Sequence, residues 1–349
     1  AAAAQGDGTP VGIDPLRQWM YVVNGEQHVD VLALRNVWLA RKPLNISHRG
    51  GADQFPENTL YAYAESIKAG SDMIEADVFQ TADGEIVVIH DATVDRTTEG
   101  TGAVNTKTLD ELKALDAAYC HTRVGEYELG DRFSASCGAS SNPADFPFRG
   151  IATGAKAPPP GYTANDFRIP TLRELLARFP DTLVNLELKP DERGAGTYEG
   201  KLAAILAEFG RTEDVIVASF LDTASAAFKA QAPLVSTSVP TAQGAASIAT
   251  GAGPSPGITV WHEAFQVPPT FTIEVITQEF VDDAHAQGLA VHAWTIDDCD
   301  EMVDLLDLGV DGIMTDRPSL LSRVIDDRAT KDRADWICQG TPTEPPPSE

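Results

Sequence analysis

The chain has 349 residues, enough to bury a large core, and its acidic residues outnumber the basic ones 52 to 26 for a formal net charge of −26. That balance repels nucleic acid and anionic lipid surfaces, so an anionic substrate must be met by a local cluster of positive groups or by a metal. No apolar run has the length of a membrane span, which argues against stable membrane insertion.

The first residues, AAAAQGDGTP, have the look of an end left by cleavage at a small-residue signal site, and they set the expectation of a secreted or periplasmic protein. "LNISH" (44–48) reads as a strand that runs into "RGGADQFPENTL". There Gly50 and Gly51 would let the backbone pass close to a ligand, and Pro56 to Thr59 would restart the chain as a capped helix. "MIEADV" (73–78) and "IVVIH" (86–90) follow as strands around the turn "TADGE". "TLDELKAL" (108–115) sets leucines on one face, while "TLRELLARF" (171–179) and "GKLAAILAEF" (200–209) show the i, i+3, i+4, i+7 stripe of helices packing on a sheet. Further strands are "LVNLELK" (183–189), "DVIVASF" (214–220), "LVSTSV" (234–239), "LAVHAW" (289–294) and "DGIMT" (311–315).

Eight strands separated by helices predict an α/β fold with right-handed crossovers, a closed TIM (β/α)8 barrel, with a doubly wound open sheet as the runner-up. On this reading residues 1–43 cover the bottom of the barrel, 44–325 form it, and 326–349 make a partly disordered tail ending in "QGTPTEPPPSE". Residues 117–168, after the third strand and its helix, have no sustained period. The aromatics between Tyr119 and Phe167 favour an ordered insertion or cap there.

Cys120, Cys137, Cys299 and Cys338 form no CxxC pair, which argues against a zinc knuckle. Of the connectivities available, Cys120–Cys137 with Cys299–Cys338 is favoured, because one rigidifies the irregular segment and the other pins the tail. Four buried thiols remain the alternative in a reducing compartment.

In a parallel barrel the chemistry collects at the C-terminal ends of the strands. His48 and His90 each end an apolar strand, and an ordinary imidazole pKa of about 6.5 suits them as an acid/base pair. Glu75 and Asp77 are two apart on the second strand and share a face; Glu187 and Lys189 repeat the spacing on the fourth, and His292 and Trp294 on the seventh. Three clustered carboxylates call for a cation, and an all-oxygen donor set suits Mg2+ or Ca2+. Buried ion pairs, such as Glu187 with Arg49 or Lys189, are the plain alternative. Arg49 offers a fork for phosphate oxygens and Lys189 a point charge. His28, His121, His262 and His285 read as structural or surface residues. The Asp pairs at 282–283, 297–298 and 326–327 read as solvated faces or caps, and Asp222 and Asp316 as caps of the helices that follow.

The motifs "HRG" (48–50), "PENT" (56–59), "EAD" (75–77), "TADGEIVVIHD" (81–91), "DRTT" (95–98), "LELK" (186–189), "AWT" (293–295) and "DGIMTDRP" (311–318) occur together in this order. In this the sequence resembles the glycerophosphodiester phosphodiesterase family, and "FRGIATG" (148–154) is similar to the insertion of secreted bacterial members. The resemblance implies a TIM barrel that uses a divalent ion to hydrolyse glycerophosphodiesters to an alcohol and glycerol 3-phosphate. It makes His48 and His90 the acid/base pair, and it makes Glu75, Asp77 and Glu187 the metal ligands. Arg49 and Lys189 would hold phosphate, Asn58 and Glu57 would adjoin it, and Trp294 would wall the glycerol or alkyl part. The nucleophile is water or the substrate's neighbouring hydroxyl, the latter passing through a cyclic phosphate. Competing readings are a lysophospholipase D or sphingomyelinase D-like enzyme acting on lysophospholipids, a phosphatidylinositol phospholipase C-like barrel, and a noncatalytic phosphate-binding barrel.

Overall fold

The computed structural model describes residues 9–10, 20–23, 26–29, 36–39, 43–190, 198–250 and 262–340. Its centre is eight parallel strands: β1 (Leu44–Ser47), β2 (Met73–Gln80), β3 (Leu183–Leu188), β4 (Val215–Ala218), β5 (Ser236–Thr237), β6 (Ala264–Val267), β7 (Ala290–Ala293) and β8 (Gly312–Thr315). They lie in the order β5-β4-β3-β2-β1-β8-β7-β6. A parallel bridge from Ser238 to Ala264 joins the two ends, so the sheet closes on itself as the predicted barrel. β1, β2, β7 and β8 are buried at every position, as expected of strands covered on both faces.

The described helices are α1 (Leu60–Lys68), α2 (Leu109–Lys113), α3 (Leu172–Arg178), α4 (Glu199–Glu208), α5 (Asp222–Gln231), α6 (Thr241–Thr250), α7 (Gln278–Ala286), α8 (Cys299–Leu308) and α9 (Pro318–Thr330). Thr59 caps α1 by accepting from the Ala62 amide, and Thr171 with Glu174 forms a reciprocal capping box on α3. The predicted stripes are the buried faces: Leu172, Leu175 and Leu176 of α3 and Leu202, Ile205 and Leu206 of α4 pack in one cluster with Val184 and Leu186 of β3.

One predicted barrel strand is replaced by one that was not predicted. Ile86–Val88 pairs antiparallel with the end of β2, Val78 opposite Val88, and is a hairpin return rather than a barrel strand. The eighth barrel strand is instead β6, in register with β7. β2 is eight residues long, so its end projects past the barrel rim, and the return strand covers that projection.

Residues 1–8, 11–19, 24–25, 30–35, 40–42 and 341–349, which hold most of the expected leading segment and the end of the tail, lie outside the described residues. Three short antiparallel strands, Thr9–Pro10, Met20–Val23 and Glu26–Val29, belong to the leading segment, and His28 is in the last of them. Trp38 is fully buried with Leu44, Met73, Ala264 and Ala290, the first residues of β1, β2, β6 and β7, so it plugs the N-terminal end of the barrel. Asn36 holds it there by donating to the carbonyls of Glu263 and Gly288 at 2.7 and 2.8 Å.

Both favoured disulfides are present, Cys120–Cys137 and Cys299–Cys338. The first clamps a hairpin, His121–Tyr127 with Gly130–Ala135. The rest of the insertion packs Ile151, Phe148 and Phe167 on Tyr61 of α1. α9 continues to Thr330, past the expected start of the tail. Asp327 is the reason: it is buried, pairs with Arg323 and Lys331 and accepts from the Ile337 amide, which corrects its reading as a solvated acid. No described helix is long and apolar enough to cross a membrane.

Candidate active site

A cleft of about 530 Å3 opens at the C-terminal ends of the strands, and His48, Arg49, Glu75, His90, Glu187, Lys189 and Trp294 all line it. Glu75 and Asp77 share the inner face of β2, and the register sets Asp77 opposite Glu187 of β3. One oxygen from each of Glu75, Asp77 and Glu187 lies within 4.8 Å of the others. An oxygen-only donor set of this kind fits a hard divalent cation. Burial, reinforced by Asp77 and Glu187, pushes the Glu75 carboxyl up to about 8. Burial also acts to raise Asp77, but Lys189, His90 and Arg49 overcome it and hold that carboxyl down at about 2. Lys189 Nζ stands between the strands, 3.0 Å from Asp77 Oδ1 and 2.8 Å from Glu187 Oε1. One divalent cation would relieve the strain that Glu75 shows.

Arg49 follows His48 in a tight turn with φ 53°, and its amide donates to Glu75 Oε2 at 2.8 Å. Gly50 and Gly51 have φ of 85° and 88°. Their missing side chains face protein, not the cleft: a Cβ on Gly50 would meet Ala62 at 2.9 Å, and one on Gly51 would meet Pro318 at 2.8 Å. The glycines therefore let α1 and α9 approach the turn, and the expectation of close approach to a ligand is corrected.

Each histidine has an aspartate on Nδ1. His48 Nδ1 lies 2.8 Å from Asp316 Oδ1, and His90 Nδ1 lies 2.6 Å from Asp91 Oδ1. Nε2 of both rings stays uncommitted among the described residues. His90 is not on a barrel strand; the hairpin return brings it back, with the Ile89 amide bonded to the Asp77 carbonyl at 3.0 Å. Burial lowers the His48 pKa, but Asp316 and then Glu75 outweigh it and raise the imidazole to about 9.

Glu57 and Asn58 do not reach the cleft wall; they stand behind it. Glu57 takes two bonds from Arg96, at 2.6 and 2.8 Å, and Arg96 Nε also binds Asp91 at 2.7 Å. Asn58 donates to Asp77 Oδ2 at 3.0 Å and accepts from the Tyr63 hydroxyl at 2.7 Å. Trp294 meets Phe220 edge-on, with ring centroids 5.7 Å apart. His292 lies below, inside the barrel, 3.2 Å from Gln266 Nε2.

Sequence reasoning missed Asp91, Arg96, Tyr63 and Asp316. Asp316 does not cap α9, whose N-cap is Arg317; it serves His48. The signal was available, because closure of a barrel sets its last strand beside its first. Asp222 does not cap its own helix either, since its carboxylate accepts from the Ala242 amide at the start of α6. Asp298 caps α8 as expected, whereas Asp297 accepts from the Asp316 amide at 2.7 Å and is pushed up to about 6 by burial and by Asp316. His121 and His262 are buried, and His285 pairs with Asp311 at 2.7 Å, in keeping with structural roles.

The glycerophosphoryl diester phosphodiesterase family model matches residues 48–320. The chain belongs to that family. The chain is similar to a glycerophosphodiester phosphodiesterase of Caldanaerobacter subterraneus, 32% identical over 294 residues, which span 81% of this chain and 98% of that one. A glycerophosphodiester phosphodiesterase of Bacillus subtilis is 27% identical, over 80% of this chain and 86% of its own length. Among solved structures, an Oleispira antarctica phosphodiesterase in complex with the product sn-glycerol-3-phosphate has the same fold, with a TM-score of 0.58 at 24% identity, covering 83% of this chain and 99% of that chain. The family is one of phosphoric diester hydrolases, and the paired histidines and acidic cluster all fall inside the matched span.

Proposed function

We propose that this protein hydrolyses glycerophosphodiesters to an alcohol and glycerol 3-phosphate by metal-assisted histidine acid/base catalysis. The observation that carries this reading is the convergence of two aspartate-anchored histidines on three clustered carboxylates and two cationic side chains at one end of the barrel. Glu75, Asp77 and Glu187 would hold a hard divalent ion, Mg2+ or Ca2+, which supplies Lewis-acid polarisation of a phosphoryl oxygen. Arg49 and Lys189 orient the anionic diester and offset negative charge as it grows on the phosphoryl oxygens. The nucleophile's proton, from water or from the neighbouring glycerol hydroxyl, passes to Nε2 of one histidine. The other histidine gives its Nε2 proton to the departing alkoxide as the phosphorus–oxygen bond breaks. Asp316 and Asp91 keep each ring oriented with Nδ1 bonded behind and Nε2 forward.

A metal-titrated assay on glycerophosphocholine tests the reading. It expects activity abolished by EDTA, restored by Mg2+ or Ca2+, and glycerol 3-phosphate as product. Activity that survives exhaustive chelation would refute the metal assignment, and phosphocholine as product would refute the bond assignment. Phosphorus NMR during turnover separates the nucleophiles, since hydroxyl attack passes through a cyclic phosphate. The reading extends to export, supported by the two disulfides, which persist in oxidising compartments.

A further inference from the structure

The "DRTT" motif (95–98) takes no part in the chemistry above, yet its arginine reaches toward both sides of the site. Arg96 uses two edges of one guanidinium. Nε and Nη2 grip Asp91, at 2.7 Å to Oδ2 and 3.1 Å to Oδ1, while Nη1 and Nη2 grip Glu57 at 2.6 and 2.8 Å. Holding two carboxylates side by side takes a planar fork; a lysine ammonium is a point charge. Asp91 is the partner of His90, and Glu57 also stands beside Arg49. The Glu57 side chain is 6% exposed, so its charge needs a cation. The distances show which arginine supplies it. Arg49 Nη1 reaches Glu57 only at 3.5 Å, and Arg49 Nε, 3.7 Å from Asp77 Oδ2, makes no hydrogen bond among the described residues. Arg96 therefore occupies the carboxylate and leaves the Arg49 guanidinium underused at the cleft. The loop that carries Arg96 is braced from outside, since the Thr97 carbonyl accepts from the Cys120 amide at 3.1 Å. Cys120 is one end of the insertion's disulfide, so the insertion supports this arginine although none of its residues lines the cleft.

We propose that Arg96 is a positioning residue with two duties: it orients His90 through Asp91, and by holding Glu57 it keeps Arg49 free for the phosphoryl group. The first duty rests on the phosphodiesterase reading, whereas the second shows in anion binding without turnover. Without Arg96 the buried Glu57 carboxylate has Arg49 as its remaining arginine, and the two close on each other. A phosphate must then compete with an internal anion for its clamp. His90 suffers separately, because Asp91 keeps no hydrogen-bond partner except the ring among the described residues.

The test uses the full chain with Mg2+ present and three variants: Arg96→Met, Arg96→Lys, and Arg96→Met combined with Glu57→Gln. Titration calorimetry with inorganic phosphate reads the clamp. Kd rises about tenfold or more in Arg96→Met, because the clamp is now paired internally. The added Glu57→Gln removes the competing charge and returns Kd to within about threefold of the parent. Steady-state kinetics on glycerophosphocholine read the other duty. In Arg96→Met kcat falls by about 10- to 100-fold, and it stays low in the combined variant while KM recovers. A merely structural role would move KM and kcat together, and a second substitution would not restore either. Arg96→Lys keeps a cation on Glu57 and so keeps phosphate Kd near the parent value, but it loses the fork and with it kcat. That variant decides the matter if Arg96→Met does not fold: parent-like kcat overturns the proposal. So does an unchanged phosphate Kd in Arg96→Met, a Kd that Glu57→Gln fails to restore, or a parent that binds no phosphate. If glycerophosphocholine is not hydrolysed while the phosphate titrations follow this pattern, the phosphodiesterase reading falls alone and the hold of Arg96 on Glu57 stands.

Discussion

Asp316 Oδ1 sits 2.8 Å from His48 Nδ1, a link between the end of β8 and the end of β1, which pair in parallel with Thr315 opposite Ser47. The aspartate fixes which nitrogen faces the cleft, and its charge raises the imidazole pKa against the lowering effect of burial. Asp316→Asn removes that charge while keeping the size of the side chain. It is expected to lower kcat by about 10- to 100-fold, the usual cost of losing the partner that orients a site histidine. The pH–rate limb that reports His48 should also move to lower pH. A variant that loses activity without moving that limb would make Asp316 a mere structural support.

Glu75 near 8 implies that a proton rests in the carboxylate cluster at neutral pH before metal arrives. Ligation requires the ionised form, so metal binding at pH 7 should release a proton. The sign follows: affinity weakens as pH falls below 8, by about tenfold per pH unit for each proton released. Calorimetric titration of chelated protein with Mg2+ or Ca2+, in two buffers of different ionisation enthalpy, counts the protons. Identical heats in both buffers would contradict the clustered-carboxylate account.

Three buried histidines link stability to acid. Burial lowers His121 and His262 to about 3 and His292 to about 4. Their folded pKa values lie below the unfolded value of about 6.5, so their neutral burial favours the native state fully above that pH and is lost as pH falls. Between about 6 and 4 each should cost about 1.4 kcal/mol per pH unit. His121 stacks on Phe133 with centroids 4.6 Å apart, and its Nε2 has no hydrogen-bond partner, so His121→Phe keeps the stack and removes the titration. Urea unfolding across that range should show a slope shallower by one proton in the variant. An unchanged slope would mean that His121 is protonated in the folded state.

The acidic cluster was legible because side chains two apart on a strand must share a face. Glu75 with Asp77 and Glu187 with Lys189 are therefore readable from local sequence alone. What could not be read was the pairing that sets Asp77 against Glu187, because register between distant strands is a non-local property. Ile86–Val88 has the composition of a buried barrel strand because it is buried, and only its direction, fixed by the turn at Thr81–Glu85, excludes it. β6 is hidden by its flank, because it runs directly into Pro268 and Pro269, which read as a loop. Asp316 was misread for a related reason. A carboxylate before a helix looks like a cap until barrel closure puts the first strand beside it.

The disulfides give a stability prediction that is separable from catalysis. Cys299 and Cys338 are 39 residues apart, and the bond ties the segment after α9 to the start of α8. Closing a loop of that length stabilises the fold by roughly 3 to 4 kcal/mol on the chain-entropy account. Cys338→Ser is expected to lower the unfolding midpoint by several degrees while leaving the cleft intact, since neither cysteine lines it. Calorimetric scanning of the variant beside a kcat/KM measurement at low temperature checks both parts. A midpoint within a degree of the parent would show that the unfolded chain gains little freedom from the loss.

Gly50 carries the sharpest steric prediction, because two independent obstacles coincide there. Its φ of 85° disfavours any side chain, and a Cβ would come within 2.9 Å of Ala62 Cβ and 3.2 Å of the Ala62 carbonyl carbon, which is helix backbone and cannot swing aside. Gly50→Ala should therefore destabilise the fold by about 1 to 3 kcal/mol. Whatever relief occurs must come from moving α1 or the turn itself. That turn holds the Arg49 amide on Glu75, and α1 supplies Tyr63, which steadies Asn58 on Asp77. The loss of activity should therefore exceed the loss of folded protein when both are measured at a temperature where the variant is still native. Equal losses would show that the turn is a packing feature whose position does not govern the carboxylate cluster. Combining Gly50→Ala with Ala62→Gly discriminates further: it removes the 2.9 Å contact and should recover part of the steric cost, while leaving the contact with the helix backbone and the positive-φ strain.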